Sequence, residues 1–259
     1  MTDEPIYREE DGLWIPRPEA KGPFPGQHGG AFGAAIASAM ERWALDHDAG
    51  RPVQFTLNFL RPTPVEPIRI TVEVVQSGRR VSVLRGEIHA DGKCTAFATG
   101  IFTQPSPVPT VKGIQPDVRD PLDSVPLLIH KHIPPPWFRD SVEMRRAADG
   151  TVWMRPTIPP VAPLTPLARV VAHADWGSGV ARPETAEAPQ VSGFPNTELT
   201  VHLVREPVGE WIGLQGEPIW QNDGIGLTTA VLRDVTGPIG RSAQSLILLP
   251  LTGSRSDQV

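Results

Sequence analysis

The chain has 259 residues, with 30 prolines, 24 glycines, a single cysteine and a formal net charge of −5. That length suits one large domain or two of ordinary size, and either can bury a substantial core. The mild acidity and the lack of a long basic run argue against nucleic acid or a polybasic membrane surface as partners, and a lone Cys94 excludes an internal disulfide framework.

The opening "MTDEPIYREE" is acidic and polar, without the charge-then-apolar pattern of a secretory signal. No apolar run approaches the roughly 18 residues that a membrane-spanning helix needs. A cytoplasmic protein with no membrane association is therefore expected. "DGLWIPRP" (11–18) precedes "GQHGG" and one long helix, "GGAFGAAIASAMERWALDH", in which Phe32, Ile36, Met40 and Trp43 recur at helical spacing. Gly29, Gly30, Gly33, Ala34, Ala37 and Ala39 keep the rest of its surface slim, so it can lie close against a sheet curled round it.

Strands follow. "FTLNFLRPTPVEPI", "IRITVEVV", "LRGEIH" and "CTAFATGIF" alternate apolar and polar residues, and "ADGK" reads as a hairpin turn. Cys94 is expected in the core. A proline-rich connector from 104 to 136 has no sustained periodicity and reads as an extended surface linker. "DGTVWMRP" then opens a second passage. Thr165 is a good helix N-cap, Pro166 fits the first helical position, and the helix should run out near Asp175 and Gly177. More strands complete the chain, among them "LTVHLV" and "RSAQSLILL", with a turn at "DVTGP".

The second passage repeats the first. "FTLNFLRPTPVEPI" is answered by "LTVHLVREPVGEWI", and "DGLWIPRP" by "DGTVWMRP". Setting Arg61 against Arg205 and Phe102 against Ile247 places Thr99 opposite Gln244 and Pro52 opposite Asn196, with His28 the first-half residue nearest in place to Asp175. The expected organisation is a repeat over 1–103, the linker over 104–136 and a second repeat over 137–259.

"GGAFGAAIASA" followed by "FTLNFLRPTP", and then "ADWGSGV", "NTELTVHLVREPVGEW" and "GRSAQSLI", resemble the acyl-CoA thioesterase II family and its thioesterase-like relatives over most of the chain outside the linker. The resemblance implies an α+β double hotdog: two tandem repeats forming a curved antiparallel sheet around two central helices. It also implies hydrolysis of an acyl-CoA by a bound water, with no cofactor and no metal. In that family an Asp on the second helix, a hydroxyl or amide residue starting the next strand, and a late-strand Gln hold the water. By motif these are Asp175, Asn196 and Gln244. The better-known members have Thr where Asn196 falls, and Thr197 is its neighbour. Adjacent strand residues face opposite sides, so only one of the two points into the site.

Asp175 is the one strong base of the set, and burial at a helix C-terminus would strengthen it. The amides can only orient the water. Oxyanion donors would come from the other half, at the N–H groups of Gly29 and Gly30, with His28 third. "GRR" at 78–80 offers Arg79 and Arg80 for CoA phosphates, although a solvated hairpin is the plainer reading. Arg61 and Arg205 suggest structural ion pairs. The "HKH" at 130–132 lacks partner ligands at metal spacing. A His173–Asp175 dyad is rejected, because helical residues two apart do not face each other. Two other functions compete: a non-catalytic acyl-CoA or lipid binder, and a hydratase-type enzyme, whose D-x-N-P-x-H-type string does not occur here. Exposed sheet edges allow a homo-oligomer.

Overall fold

The computed structural model describes residues 4–109, 112–113, 115–131, 133–180 and 191–250. Strands β1 (Tyr7–Glu10) and β2 (Leu13–Pro16) form a hairpin before helix α1 (Gly29–Asp46). The first half continues with β3 (Arg51–Phe59), β4 (Arg69–Ser77), β5 (Val81–Ala90) and β6 (Lys93–Thr103). After the proline-rich stretch come β7 (Val125–Pro126), β8 (Val142–Arg146), β9 (Val152–Pro156), helix α2 (Pro166–Ala174) and the short helix α3 (Gly177–Val180). The last strands are β10 (Val191–Gly193), β11 (Glu198–Leu203), β12 (Ile212–Trp220), β13 (Ile225–Asp234), β14 (Gly237–Ile247) and β15 (Leu249–Pro250). Among the described residues no helix is long and apolar enough to cross a membrane.

Eleven strands make one antiparallel sheet in the order β4-β5-β6-β3-β11-β14-β13-β12-β9-β8-β7. Tight turns dictate the antiparallel pairing. At "ADGK", Asp91 and Gly92 both take positive φ (48° and 70°), the conformation that a two-residue hairpin needs. The halves meet where β3 pairs with β11. Thr56 stands opposite Thr200 there, their hydroxyls 3.0 Å apart and 144 positions apart in sequence. Each residue thus faces its own counterpart, and the pseudo-two-fold axis passes between them. Two helices, each embraced by half of a curved sheet, make this the double hotdog that the sequence resemblance implied.

The ladder corrects the alignment of the halves by one residue. Thr56 pairs with Thr99 and Thr200 with Ala243, so Thr99 corresponds to Ala243 and Gln244 to Gly100. Pro52 pairs with Phe102 and Asn196 with Leu246, so Phe102 matches Leu246 rather than Ile247. Leu246 is 2% exposed and Ile247 48%, because neighbours on a strand face opposite sides and a one-residue slip turns the core outward. The connector also departs from expectation: its Val125 and Pro126 pair with Arg146 and Arg145 and end the sheet. Nor are the two "DG" hairpins used alike. β8–β9 joins the sheet through β12, while β2 reaches it only by a bridge from Trp14 to Ile68.

The slim face of α1 serves α2 as much as the sheet. A Cβ on Gly33 would fall 2.9 Å from Leu57 Cδ2 and 3.0 Å from Val171 Cγ1, and one on Gly30 would fall 2.6 Å from the carbonyl oxygen of Ala172. The two helices run antiparallel and are pinned at both ends. At one end Glu41 accepts hydrogen bonds from Leu167 N and Ala168 N (2.9 and 3.2 Å) and from the hydroxyl of Thr165. Thr165 does sit at the N-cap position, but its side chain makes no cap of its own; the α1 carboxyl caps α2. Cys94 is not in the core. It lies half-buried on the outer face beside Glu87 and His89, where burial and then Glu87 raise its pKa. Those three are the one group of metal-ligating atoms that converge among the described residues, yet Arg85 already holds Glu87 Oε1 by two hydrogen bonds.

Burial sets two opposed titrations into this helix pair. It pushes the pKa of Glu41 from 4.5 up to about 7, against the bonds from Thr165, Leu167 and Ala168. It pulls that of His173 from 6.5 down to about 4. Between pH 4.5 and about 7 the folded chain holds the Glu41 proton that the unfolded chain has lost, so stability falls as pH rises. Between about pH 4 and 6.5 the unfolded chain holds the His173 proton that the folded chain refuses, so stability rises with pH. Each slope is worth about 3 kcal/mol over its range. Denaturant unfolding across pH 4–7 should therefore vary little for the wild type. His173→Leu should expose a decline with pH, and Glu41→Gln a rise.

Candidate active site

Helix α2 ends because Asp175 and Trp176 turn the chain into α3. Asp175 is the C-cap residue, 6% exposed, its N–H still bonded to Val171 O at 3.3 Å. Its side chain points across to the start of α1. The C-terminus of one helix and the N-terminus of the other thus meet at a single carboxylate, and their dipoles oppose each other there. The sequence predicts both helix ends at the site, but not the direct approach of His28 to the Asp175 carboxyl.

Three polar side chains close on this carboxyl. Asn196 Nδ2 donates to Oδ1 at 2.8 Å. Gln244, 1% exposed, donates from Nε2 to the Asp175 carbonyl oxygen at 3.2 Å and lies 3.5 Å from Oδ1. His28 Nδ1 stands 3.1 Å from Oδ2. The structure therefore brings Asp175, Asn196 and Gln244 together, and adds His28 from the other half. Gln244 Oε1 also accepts the Ser178 N–H at 2.9 Å, so the amide ties the carboxyl to the turn that carries it.

Of the two neighbours just before β11, Asn196 faces the site. Thr197 is exposed, and its hydroxyl lies 3.3 Å from Ser245 O, away from Asp175. His28 does more than the sequence suggested. It is the N-cap of α1, its Nδ1 accepting the Gly30 N–H at 3.0 Å. That nitrogen has either a lone pair or a proton, so it serves Gly30 or Asp175 at any one time. The imidazole packs against both Phe138 and Trp176, with ring centroids 4.7 and 4.4 Å away, and those two rings stack on each other. This aromatic wall was not legible, because Phe138 arrives from beyond the proline-rich stretch.

Gly29 and Gly30 are divided by the same contact. The Gly30 N–H is taken up by His28, while the Gly29 N–H has no partner among the described residues. A Cβ on Gly29 would fall 2.8 Å from Asp175 Oδ2, which is why the backbone there must be bare. Arg79 and Arg80 are exposed and lie far away. Gln104 bonds the Arg80 carbonyl oxygen and the Asp48 carboxylate, which ties that hairpin to the C-terminal end of α1. The 18 residues of α1 make about 27 Å of helix between there and Gly29.

His173 turns from Asp175, its Nδ1 2.6 Å from Arg169 O. Arg205 forms the expected ion pair, with Asp234, whereas Arg61 is exposed and has no ion-pair partner among the described residues. His132 lies outside the described residues, and His130 packs 5.8 Å from the Trp137 ring. The first-half counterparts of the site are apolar. Pro52 stands for Asn196, and a Cβ on Gly100 would press on Phe102 and Met40. The carboxylate that answers Asp175 there is Glu41, not the nearby His28, since each acid reaches the N-terminus of the other helix.

A family model for the acyl-CoA thioesterase N-terminal domain matches residues 18–103, and one for the acyl-CoA thioesterase C-terminal domain matches residues 103–248. No curated protein matches the chain. Among solved structures, a protein of Novosphingobium aromaticivorans is similar over 94% of this chain and 98% of its own, at 21% identity and a TM-score of 0.72. The acyl-CoA thioesterase II TesB2 of Mycobacterium marinum covers 95% and 96% at 14% identity, with a TM-score of 0.69. A hot dog fold protein of Alicyclobacillus acidocaldarius covers 95% and 96% at 18% identity, with a TM-score of 0.67.

Proposed function

The chain belongs to the acyl-CoA thioesterase family, and from that premise we propose that it cleaves an acyl-CoA with water, giving the free acid and CoA. The observation that carries this reading is the buried carboxyl of Asp175, met by Asn196, Gln244 and His28 from both halves of the chain. In the proposed reaction Asp175 removes a proton from water as the water oxygen attacks the thioester carbon. Negative charge develops on the carbonyl oxygen and is met by the free Gly29 N–H at the start of α1. The carbon–sulfur bond then breaks, and the sulfur leaves as thiolate and takes a proton.

Asn196 and Gln244 are not bases. Their part is to hold the Asp175 carboxylate in line for the water, and placement alone can lower a barrier by several kcal/mol. His28, packed against two aromatic rings, stands 3.1 Å from the other carboxylate oxygen and can donate to it when Nδ1 carries a proton. The first half offers Pro52 and Gly100 in place of the two amides, which supports one working site per chain.

Release of free thiol from acyl-CoAs of graded chain length tests the reading. Turnover is expected and will identify the preferred acyl group. No turnover at any length, while acyl-CoA still raises the melting temperature, would point instead to a binding protein.

A further inference from the structure

Opposite Gln244, on the adjacent strand β13, stands Thr228. Both side chains point inward, at 1% and 2% exposure. The internal repeat supplies a control for this pair. In the first half the same ladder position joins Leu84 to Gly100, and the space over Gly100 is taken by Phe102 and Met40. Where only packing is required, this fold uses an apolar pair; facing Asp175 it uses two polar ones.

The hydroxyl of Thr228 has no hydrogen-bond partner among the described residues. Buried polar atoms are nearly always partnered, and one that is not weakens the fold. Valine has the same shape without that cost. The methyl of Thr228 faces α3, 3.8 Å from where a Cβ on Gly177 would lie, and Gln244 Oε1 is the other neighbour of that spot. Threonine and glutamine thus line one wall beneath the turn that carries Asp175. Gln244 has little left to give a reactant: Nε2 is turned to Asp175 O and Oδ1, and Oε1 already accepts Ser178 N. A hydroxyl can both donate and accept.

We infer that Thr228 is a further catalytic residue, its hydroxyl bonding the hydrolytic water beside Gln244. The inference rests on the thioesterase reading. Its test is thiol release and thermal melting of the wild type, Thr228→Val and Thr228→Ser. Thr228→Val should lose roughly tenfold or more in kcat, with KM little changed. It should melt no lower than the wild type, and Thr228→Ser should regain most of the activity. A Thr228→Val enzyme as fast as an active wild type would overturn this inference alone. So would a lower melting temperature, since it would mean that the hydroxyl supports the fold. A folded wild type that hydrolyses no acyl-CoA would overturn the thioesterase reading and this inference with it.

Discussion

Asp175→Asn should lower kcat for acyl-CoA hydrolysis by about a hundredfold or more, within the range for loss of a general base. The substitution preserves shape. An asparagine oxygen can still accept from Asn196 Nδ2, 2.8 Å away, and its amide can donate to His28 Nδ1, 3.1 Å from the other oxygen. The contact between the helices therefore survives while the proton acceptor is lost. KM and the melting temperature should change little, because neither depends on the basicity of this group. Steady-state thiol release beside a thermal melt makes the comparison. An Asp175→Asn enzyme within a few-fold of wild type would reduce Asp175 to a structural joint.

The second large effect concerns stability. Asp234 is fully buried and accepts from Arg205 Nη1 and Nη2 at 2.5 and 2.8 Å, from Val208 N at 2.7 Å, from Thr236 N and Oγ1 at 2.8 Å, and from Gly237 N at 3.1 Å. Burial alone would raise its pKa, but these donors, Arg205 foremost, hold it down at about 2. Asp234→Ala leaves a guanidinium and several N–H groups without their acceptor, and should cost about 3–5 kcal/mol. For a chain of this size that is a fall in Tm on the order of 10 °C, readable by calorimetry. The contribution is present above the unfolded pKa of about 3.8 and is lost as pH falls through about 2. A variant that melts within a degree or two of the wild type would refute the assignment. The first half has Ala90 at the equivalent position of β5, which explains why Arg61 has no ion-pair partner among the described residues.

Architecture was legible because period-two strands, glycine turns and the repeated sentence all pointed to one fold. Asp175, Asn196 and Gln244 were legible only through resemblance, since a helix-end aspartate and a strand glutamine look ordinary by themselves. The one-residue slip between halves came from two adjacent apolar residues, Leu246 and Ile247, which linear spacing cannot assign to a face. His28 was underrated because its contact with Asp175 joins residues on different helices. Arg79 and Arg80 have suitable chemistry for phosphates but lie by the end of α1 opposite to Asp175. Glu41 gave no signal at all: a glutamate in a helix reads as solvated until a second helix is seen to begin on it.

That last contact has a mechanical meaning. The helix pair behaves like a beam clamped at both ends, with Glu41 gripping the start of α2 and Asp175 lying against the start of α1. The two joints are alike in kind, each setting a carboxyl of one helix against the first turn of the other, and a structure with two such joints does not depend on either alone. Glu41 grips its end through direct bonds to Leu167 N and Ala168 N, whereas the hydrogen-bonding contact of Asp175 with α1 runs through His28. On the proposed reading, the Asp175 end is therefore the one that can serve the reaction.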